Sequence, residues 1–353
     1  MNPLDEESIY ALDRSGMFSH IRQTGAELLR AWDASEALEL PIGALKAKGV
    51  VVAGMGGSAT GGDYFAALCQ GRARIPVVVI RGYDLPGWVD DNTLVIVASH
   101  SGNTEEALAC YEDAHRRGSE LLVFATGGQL TELAGRDGTA WHPVRYDAPP
   151  RAALAHSLAP LLRVGNLLGL CHTDRADIRR AGELHSALSH DHIGEQVPTR
   201  TNAAKQIAEG IAGRFVMLFG AEHLTSVARR FRNQLSENGK TLGSFEMLPE
   251  ANHNVVVGLG TAKAIAGSLA AVLLESDLYN GRLRQRFDAT ASLLEEAQVP
   301  VFRIPIGGAT QLEQLLQSTA WGDYVSTYLA LLNGLDPTPI PQIEQIKLAL
   351  SGP

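Results

Sequence analysis

VVVAGMGGSATGGDYFAAL, residues 50 to 68, passes from an apolar β-branched run through a glycine-rich turn into a helical pattern. The same alternation continues in PVVVI (76 to 80), TLVIVA (93 to 98), a helical run from about 104, ELLVFAT (120 to 126) and WHPVR (141 to 145). Short Val/Ile/Leu runs separated by helical patterns predict βαβ units and a parallel sheet buried on both faces. VMLFGAEHLTSVARRFRNQL (216 to 235) can be laid over residues 50 to 68, strand on strand and helix on helix. This weak internal repeat, followed by AAVLLES (270 to 276) and VPVFRIPI (299 to 306), predicts two similar doubly wound α/β domains in tandem, each with a five-stranded parallel sheet flanked by helices. The predicted division is a helical arm at 1–47, a first domain at 48–170, a polar connector at 171–200 and a second domain with C-terminal helices at 201–353. The second copy has no glycine-rich turn, so any anion site belongs to the first.

Composition narrows the function classes. At 353 residues the chain suits two domains, and 45% hydrophobic with 20% charged residues is ordinary for a globular protein. A net charge of −9 argues against a nucleic-acid partner, which needs a basic stripe. Cys69, Cys110 and Cys171 are far apart and read as core thiols of a reducing compartment. The acidic N-terminus lacks the features of a secretory signal, and no apolar run approaches the roughly 18 residues of a membrane span. The expectation is a cytoplasmic protein with no membrane partner.

Two turns carry the first chemistry. GMGGSA (54 to 59) fits the G-x-G-x-x-A dinucleotide fingerprint, but the second strand ends in Arg81 instead of an acid, leaving an NADP reading open. SHSGNTEE (99 to 106) follows the strand 93 to 98, at the end where open α/β sheets place their ligands. Ser99, Ser101 and Thr104 are either helix-capping residues or donors to a phosphate, and one cap would occupy only one hydroxyl. With the strand context, GMGGS and SHSGNTEE together resemble the sugar isomerase (SIS) domain, in which Ser-x-Ser-Gly-x-Thr cradles a sugar phosphate.

SENGKTLGSFEMLPEANHN (236 to 254) is the other dense stretch. Glu237 near a helix end and His253 after a proline-marked loop are a candidate base and ring-opening acid, or else a solvated helix residue and a loop histidine. The pattern E-N-x-K then P-E-x-x-H-N, with APPRAALAHSLAPLL around Arg151 and WGDYVSTYLALLNGLDPTPI before IEQIKLAL, resembles the bifunctional phosphoglucose/phosphomannose isomerase family from about residue 48 to 350.

That resemblance implies a small-molecule sugar phosphate as partner and an aldose-ketose isomerase acting through a cis-enediol, with no metal and no cofactor. It implies Glu237 as base, His253 as ring-opening residue, Arg151 as stabiliser of the enediolate and Lys347 as an active-site lysine. Gly57, Ser58, Ser99, Ser101 and Thr104 are the implied phosphate ligands. It also implies a homodimer with His253 reaching into the neighbouring subunit's site. His100 stands where the family often has tyrosine, Val255 where it often has an acid, and PEANHN replaces P-E-L-N-H-N. Thr338 in DPTPI is a candidate for sugar preference. A non-catalytic sugar-phosphate sensor is the competing reading. A glucosamine-6-phosphate synthase is disfavoured because Asn2 replaces the cysteine its glutaminase half requires. His190 and His192 form the only close histidine pair and read as a solvated turn, while His20, His115, His156, His185 and His223 read singly as structural or surface residues.

Overall fold

The computed structural model describes residues 2–350. They form two compact units. One comprises Gln23–Ser186 with Thr310–Leu316, and the other the described residues up to Arg22, Ala187–Ala309 and those from Gln317 on. Residues 171–200, read from sequence as a polar connector, carry the helix Arg175–Asp191, and the division between units falls inside it.

In the first unit, β1 (Gly49–Gly54), β2 (Val77–Ile80), β3 (Thr93–Ser99), β4 (Glu120–Ala125) and β5 (Ala140–Pro143) make a parallel sheet of order β2-β1-β3-β4-β5. Every residue of β1 and β3 is buried, as central strands covered on both faces must be. Val51, Ala53, Val95, Val97 and Val123 face a core completed by Tyr111, Ala114 and Leu130. On the opposite face Gly62 of helix α1 (Gly56–Cys69) sits over Val52, so closely that an added Cβ would lie 2.9 Å from Val52 Cγ1. This strand order reverses direction between β1 and β3, which opens a crevice at their C-terminal ends.

In the second unit, β6 (Phe215–Ala221), β7 (Gly243–Leu248), β8 (Leu269–Ser276) and β9 (Val301–Ile306) follow the order β7-β6-β8-β9. The expected fifth strand is absent among the described residues. After β9 the chain enters a 22-residue helix, α4 by the order used below (Gln311–Leu332), and supplies no further β-branched run to extend the sheet. β7 went unread in the sequence because its half-buried GSFEML lies between two polar motifs. Helix α2 (Glu105–Arg116) follows β3, α3 (Leu224–Glu237) joins β6 to β7, and α5 (Pro341–Leu350) ends the described chain. No helix among the described residues is long and apolar enough to cross a membrane.

Candidate active site

Two helix N-termini open at the reversal point of the first sheet. Gly54 and Ala98 are register partners at the ends of β1 and β3, so α1 and α2 start from neighbouring strands. Neither helix has a side-chain cap. Thr104 occupies the N-cap position of α2, but its Oγ1 turns back to Ser99 Oγ at 2.9 Å instead of capping the helix. The capping explanation of the hydroxyl cluster therefore fails at the residue placed to cap.

The loop is tightly tied. Buried Ser99 accepts a hydrogen bond from the Gly102 N–H at 3.1 Å, and exposed Ser101 accepts one from the Asn103 N–H at 3.3 Å. Gly102 has φ +70°, and a Cβ there would lie 1.7 Å from the Gly127 carbonyl oxygen, so only glycine permits this turn. The Asn103 side chain accepts from the Gln129 N–H at 2.9 Å, fixing the loop to the segment after β4. Three hydroxyls are thus held beside a helix N-terminus, where the backbone N–H groups and dipole suit an anion.

Arg151 lies in the same unit, in a 3-10 turn at Pro150–Ala152, and is 4% exposed. Gly57 explains how that turn comes close: an added Cβ at Gly57 would be 2.3 Å from the Pro150 carbonyl oxygen. Ser58, Gly57, Pro150, His100, His156 and Ser157 line one small pocket. The sequence-predicted Gly57, Ser58 and the turn carrying Arg151 are therefore brought together. Arg81 is not available for a 2′-phosphate in the way the NADP reading requires, because it bonds Asp63 at 2.5 Å and the Ala59 carbonyl at 3.3 Å.

In the second unit Glu237 is the last residue of α3 and is half-buried. Its setting accounts for the E-N-x-K motif. Asn238 is buried and donates to Ser326 Oγ at 3.1 Å; Lys240 donates to the Glu237 carbonyl at 2.6 Å and the Pro337 carbonyl at 2.8 Å. One turn back, Arg230 meets Asp323 of α4 in a two-pronged pair at 2.5 and 3.1 Å, and Gln234 donates to Asp323 at 2.5 Å. Arg230, Gln234 and Asn238 recur every four residues, so one polar stripe of α3 is locked to α4 and fixes the helix rotation at Glu237. These positioning residues escaped the sequence reading because their partners lie about 90 residues downstream.

His253 closes a 3-10 turn, Glu250–His253, and is exposed. Here sequence proximity misleads. α3 delivers the chain to the start of β7, while His253 follows its end, so Glu237 and His253 stand at opposite ends of a six-residue strand. At about 3.3 Å per residue that strand is roughly 20 Å long. Lys347 is on exposed α5, beyond the segment that Lys240 anchors through Pro337. Thr338 lies beside that anchor, its N–H donating to Asp336 at 2.9 Å.

Of the remaining histidines, His190 is on the surface beside Asp191 at 2.7 Å, as a solvated residue would be. His156 is different. It is half-buried, hydrogen-bonded to Glu27 at 3.0 Å, stacked on Tyr146 with ring centroids 4.6 Å apart, and it faces the pocket shared by Ser58 and His100. The three cysteines are free and buried.

A reversed-order parallel sheet with a hydroxyl cluster at its reversal point, followed by a second sheet of matching order, defines the two-domain sugar isomerase class. Residues 200–350 match the bacterial phospho-glucose isomerase C-terminal SIS domain. The chain is 34% identical over 336 residues to a bifunctional phosphoglucose/phosphomannose isomerase of Caldicellulosiruptor bescii, covering 95% of this chain and 99% of that relative. It is 32% identical over 301 residues to another of that name from Aquifex aeolicus, covering 85% and 89% respectively. In fold it is similar to tagatose-6-phosphate ketose/aldose isomerase from Escherichia coli, with TM-score 0.70, 17% identity, and 93% and 97% of the two chains covered. The chain belongs to the bifunctional phosphoglucose/phosphomannose isomerase family.

Proposed function

We propose that the protein interconverts glucose 6-phosphate, and also mannose 6-phosphate, with fructose 6-phosphate. The observation that carries this reading is the pair of uncapped helix N-termini on neighbouring strands, with Ser58, Ser99, Ser101 and Thr104 around them. Two dipole ends and several donors suit a phosphate dianion. Held there, the phosphate contributes binding energy remote from the reacting carbons.

His253, with Lys347, opens the sugar ring by moving a proton from the anomeric hydroxyl to the ring oxygen. Glu237 then takes the proton from C2 while O1 gains a proton to give the enediol, and the same carboxyl returns its proton to C1 as O2 gives up its hydroxyl proton, so the aldehyde becomes a ketone with no net change in atoms or electrons. Negative charge develops on the two oxygens of the enediol, and Arg151, permanently charged and fork-shaped, stabilises it.

His253 acts in a second copy of the chain. Its exposure and its place at the far end of β7 from Glu237 support a homodimer in which each site draws this residue from the neighbour. Coupled assays of fructose 6-phosphate formation test the chemistry: E237Q is expected to lose about 10²- to 10⁴-fold in kcat. Full activity in E237Q overturns the base assignment, and sugar-phosphate binding without turnover by the wild type favours a sensor. Mixed E237Q and H253A chains, exchanged under mild denaturant, are expected to regain activity; no recovery overturns the shared site.

A further inference from the structure

Away from the cradle, the first unit holds a cavity of about 670 Å³ between the N-terminal helix Met17–Ala34 and β5, the edge strand of the sheet. Every residue lining it falls within Gln23–Ser186. Its volume lies in the range of roughly 300–1,000 Å³ usual for small-molecule sites. One side is apolar, made by Ala31, Leu38, Leu122, Val144 and Pro160. Trp141 lines the cavity as well and is 46% exposed, with its indole Nε1 donating to the Ala125 carbonyl at 3.2 Å. An indole already fixed in this way takes a second flat ring with little further loss of freedom.

The polar groups around the cavity are few and differ in how far they are already engaged. Glu27 pairs with Arg30 and is hydrogen-bonded to His156 at 3.0 Å, so its charge is matched within the wall. Arg145 lines the same cavity, is exposed and, among the described residues, has no hydrogen bond or ion pair. Its guanidinium stays charged at any working pH and offers a planar fork that fits phosphate oxygens. Glu39 is also exposed and unpaired among the described residues, and its carboxylate accepts from amino or hydroxyl groups. His156 and Val144 line both this cavity and the small pocket beside Ser58 and His100, so the two are neighbours in one unit.

These features select one ligand chemistry. A sugar phosphate carries hydroxyls on every side, and against the apolar wall they lose water without gaining a partner. A nucleobase has two apolar faces for that wall and for Trp141, with its polar atoms confined to an edge. A 5′-phosphate supplies the dianion that suits Arg145. We propose that the cavity binds a nucleoside monophosphate, its base on Trp141 and its phosphate on Arg145, at a site separate from the phosphate grip at the ends of β1 and β3. The site stands on the geometry of the first unit and does not depend on which reaction the protein performs.

The test is isothermal titration calorimetry of the full chain with adenosine 5′-monophosphate and with adenosine. Each titration is run with and without saturating glucitol 6-phosphate, which carries the phosphate but no carbonyl. The nucleotide is expected to bind with a Kd below about 1 mM whether or not glucitol 6-phosphate is present. R145A should weaken the nucleotide about tenfold or more and leave adenosine within about twofold, because adenosine lacks the phosphate. W141A should weaken both by about 5- to 100-fold, the scale of one lost base-stacking contact. W141F keeps a ring and should bind within about threefold of wild type, but the change in tryptophan emission that nucleotide causes in the wild type should be lost.

Absence of saturable nucleotide binding up to about 1 mM overturns the proposal. So does competition by glucitol 6-phosphate, which would put the nucleotide in the cradle. Wild-type nucleotide affinity in R145A removes the phosphate contact, and an emission change that survives in W141F removes the base contact; either result overturns the assignment. Should W141A fail to fold, R145A and W141F decide the matter by themselves, since one alters an exposed side chain and the other retains an aromatic ring. Failure of the isomerase reading has a separate signature, the absence of turnover by the wild type.

Discussion

Asp323 of α4 is the residue on which the geometry of Glu237 most depends. It is 3% exposed and faces an Arg230 that is 4% exposed, with two guanidinium contacts at 2.5 and 3.1 Å and a third bond from Gln234 at 2.5 Å. D323A removes the carboxylate but leaves the guanidinium inside. Breaking a buried pair from one side costs about 3–5 kcal/mol, most of it the uncompensated charge. For a unit of this size, roughly 2–4 °C per kcal/mol converts that into a fall in Tm of about 6–20 °C. The control is the triple variant R230M/Q234M/D323L, which replaces Arg230, Gln234 and Asp323 together. Its Tm should lie within a few degrees of wild type, because apolar replacement of a whole buried network is often neutral or stabilising. Differential scanning calorimetry reads both. The kinetic consequence is separate: the triple variant, though stable, should lose kcat with little change in KM, since α3 is no longer held in one rotation about its axis at Glu237. A D323A protein melting within about 2 °C of wild type would refute the energetic argument, given what breaking a buried ion pair from one side costs. A stable triple variant with full kcat would refute the claim that the polar stripe aims the base.

Further outcomes follow from the first unit. S99A removes the acceptor for Gly102 N–H and the partner of Thr104, and should raise KM and the glucitol 6-phosphate Kd by about 10- to 100-fold, the equivalent of 1–3 kcal/mol for a lost buried hydrogen-bonding group. G57A forces a Cβ to within 2.3 Å of the Pro150 carbonyl, in the first turn of the helix assigned to phosphate, and should raise KM and the glucitol 6-phosphate Kd. Burial holds His100, His142 and His156 below their ordinary value of 6.5, so below that pH the unfolded chain binds protons that the folded chain does not. Stability is therefore present above pH 6.5 and falls as the pH drops through the folded values; Tm should decline from about pH 7 to pH 5, and less steeply in H142F. Cys110, its thiol pushed up to about 11 by burial, should react with Ellman's reagent only after denaturation.

The first sheet was legible because its strands are central and apolar throughout, with β1 and β3 buried at every position. The cradle was legible for a related reason: glycine and short hydroxyl residues must occur together at a strand end to bring backbone near an anion. What stayed hidden depends on long-range partners. His156 looked like a single helical histidine, and only the fold sets it against Glu27, 129 residues away, and beside His100. The fifth strand of the second sheet was an extrapolation from the first half, and nothing between β9 and α4 has the composition to supply it.

The sharpest divergence concerns Glu237 and His253. Sixteen residues apart in sequence, they invite assignment to one site. Yet any helix-to-strand connection in a parallel sheet returns the chain to the N-terminal edge, and the strand then carries it to the opposite edge. With α3 before β7 and His253 after it, the strand Gly243–Leu248 lies between the two groups in the chain. In the mechanism proposed above the two are therefore expected to come from different copies of the chain, and recovery of activity on mixing E237Q and H253A chains is the measurement that checks it. The run after His253 is apolar and exposed, with Val257 at 77% and Ile265 at 57% exposure.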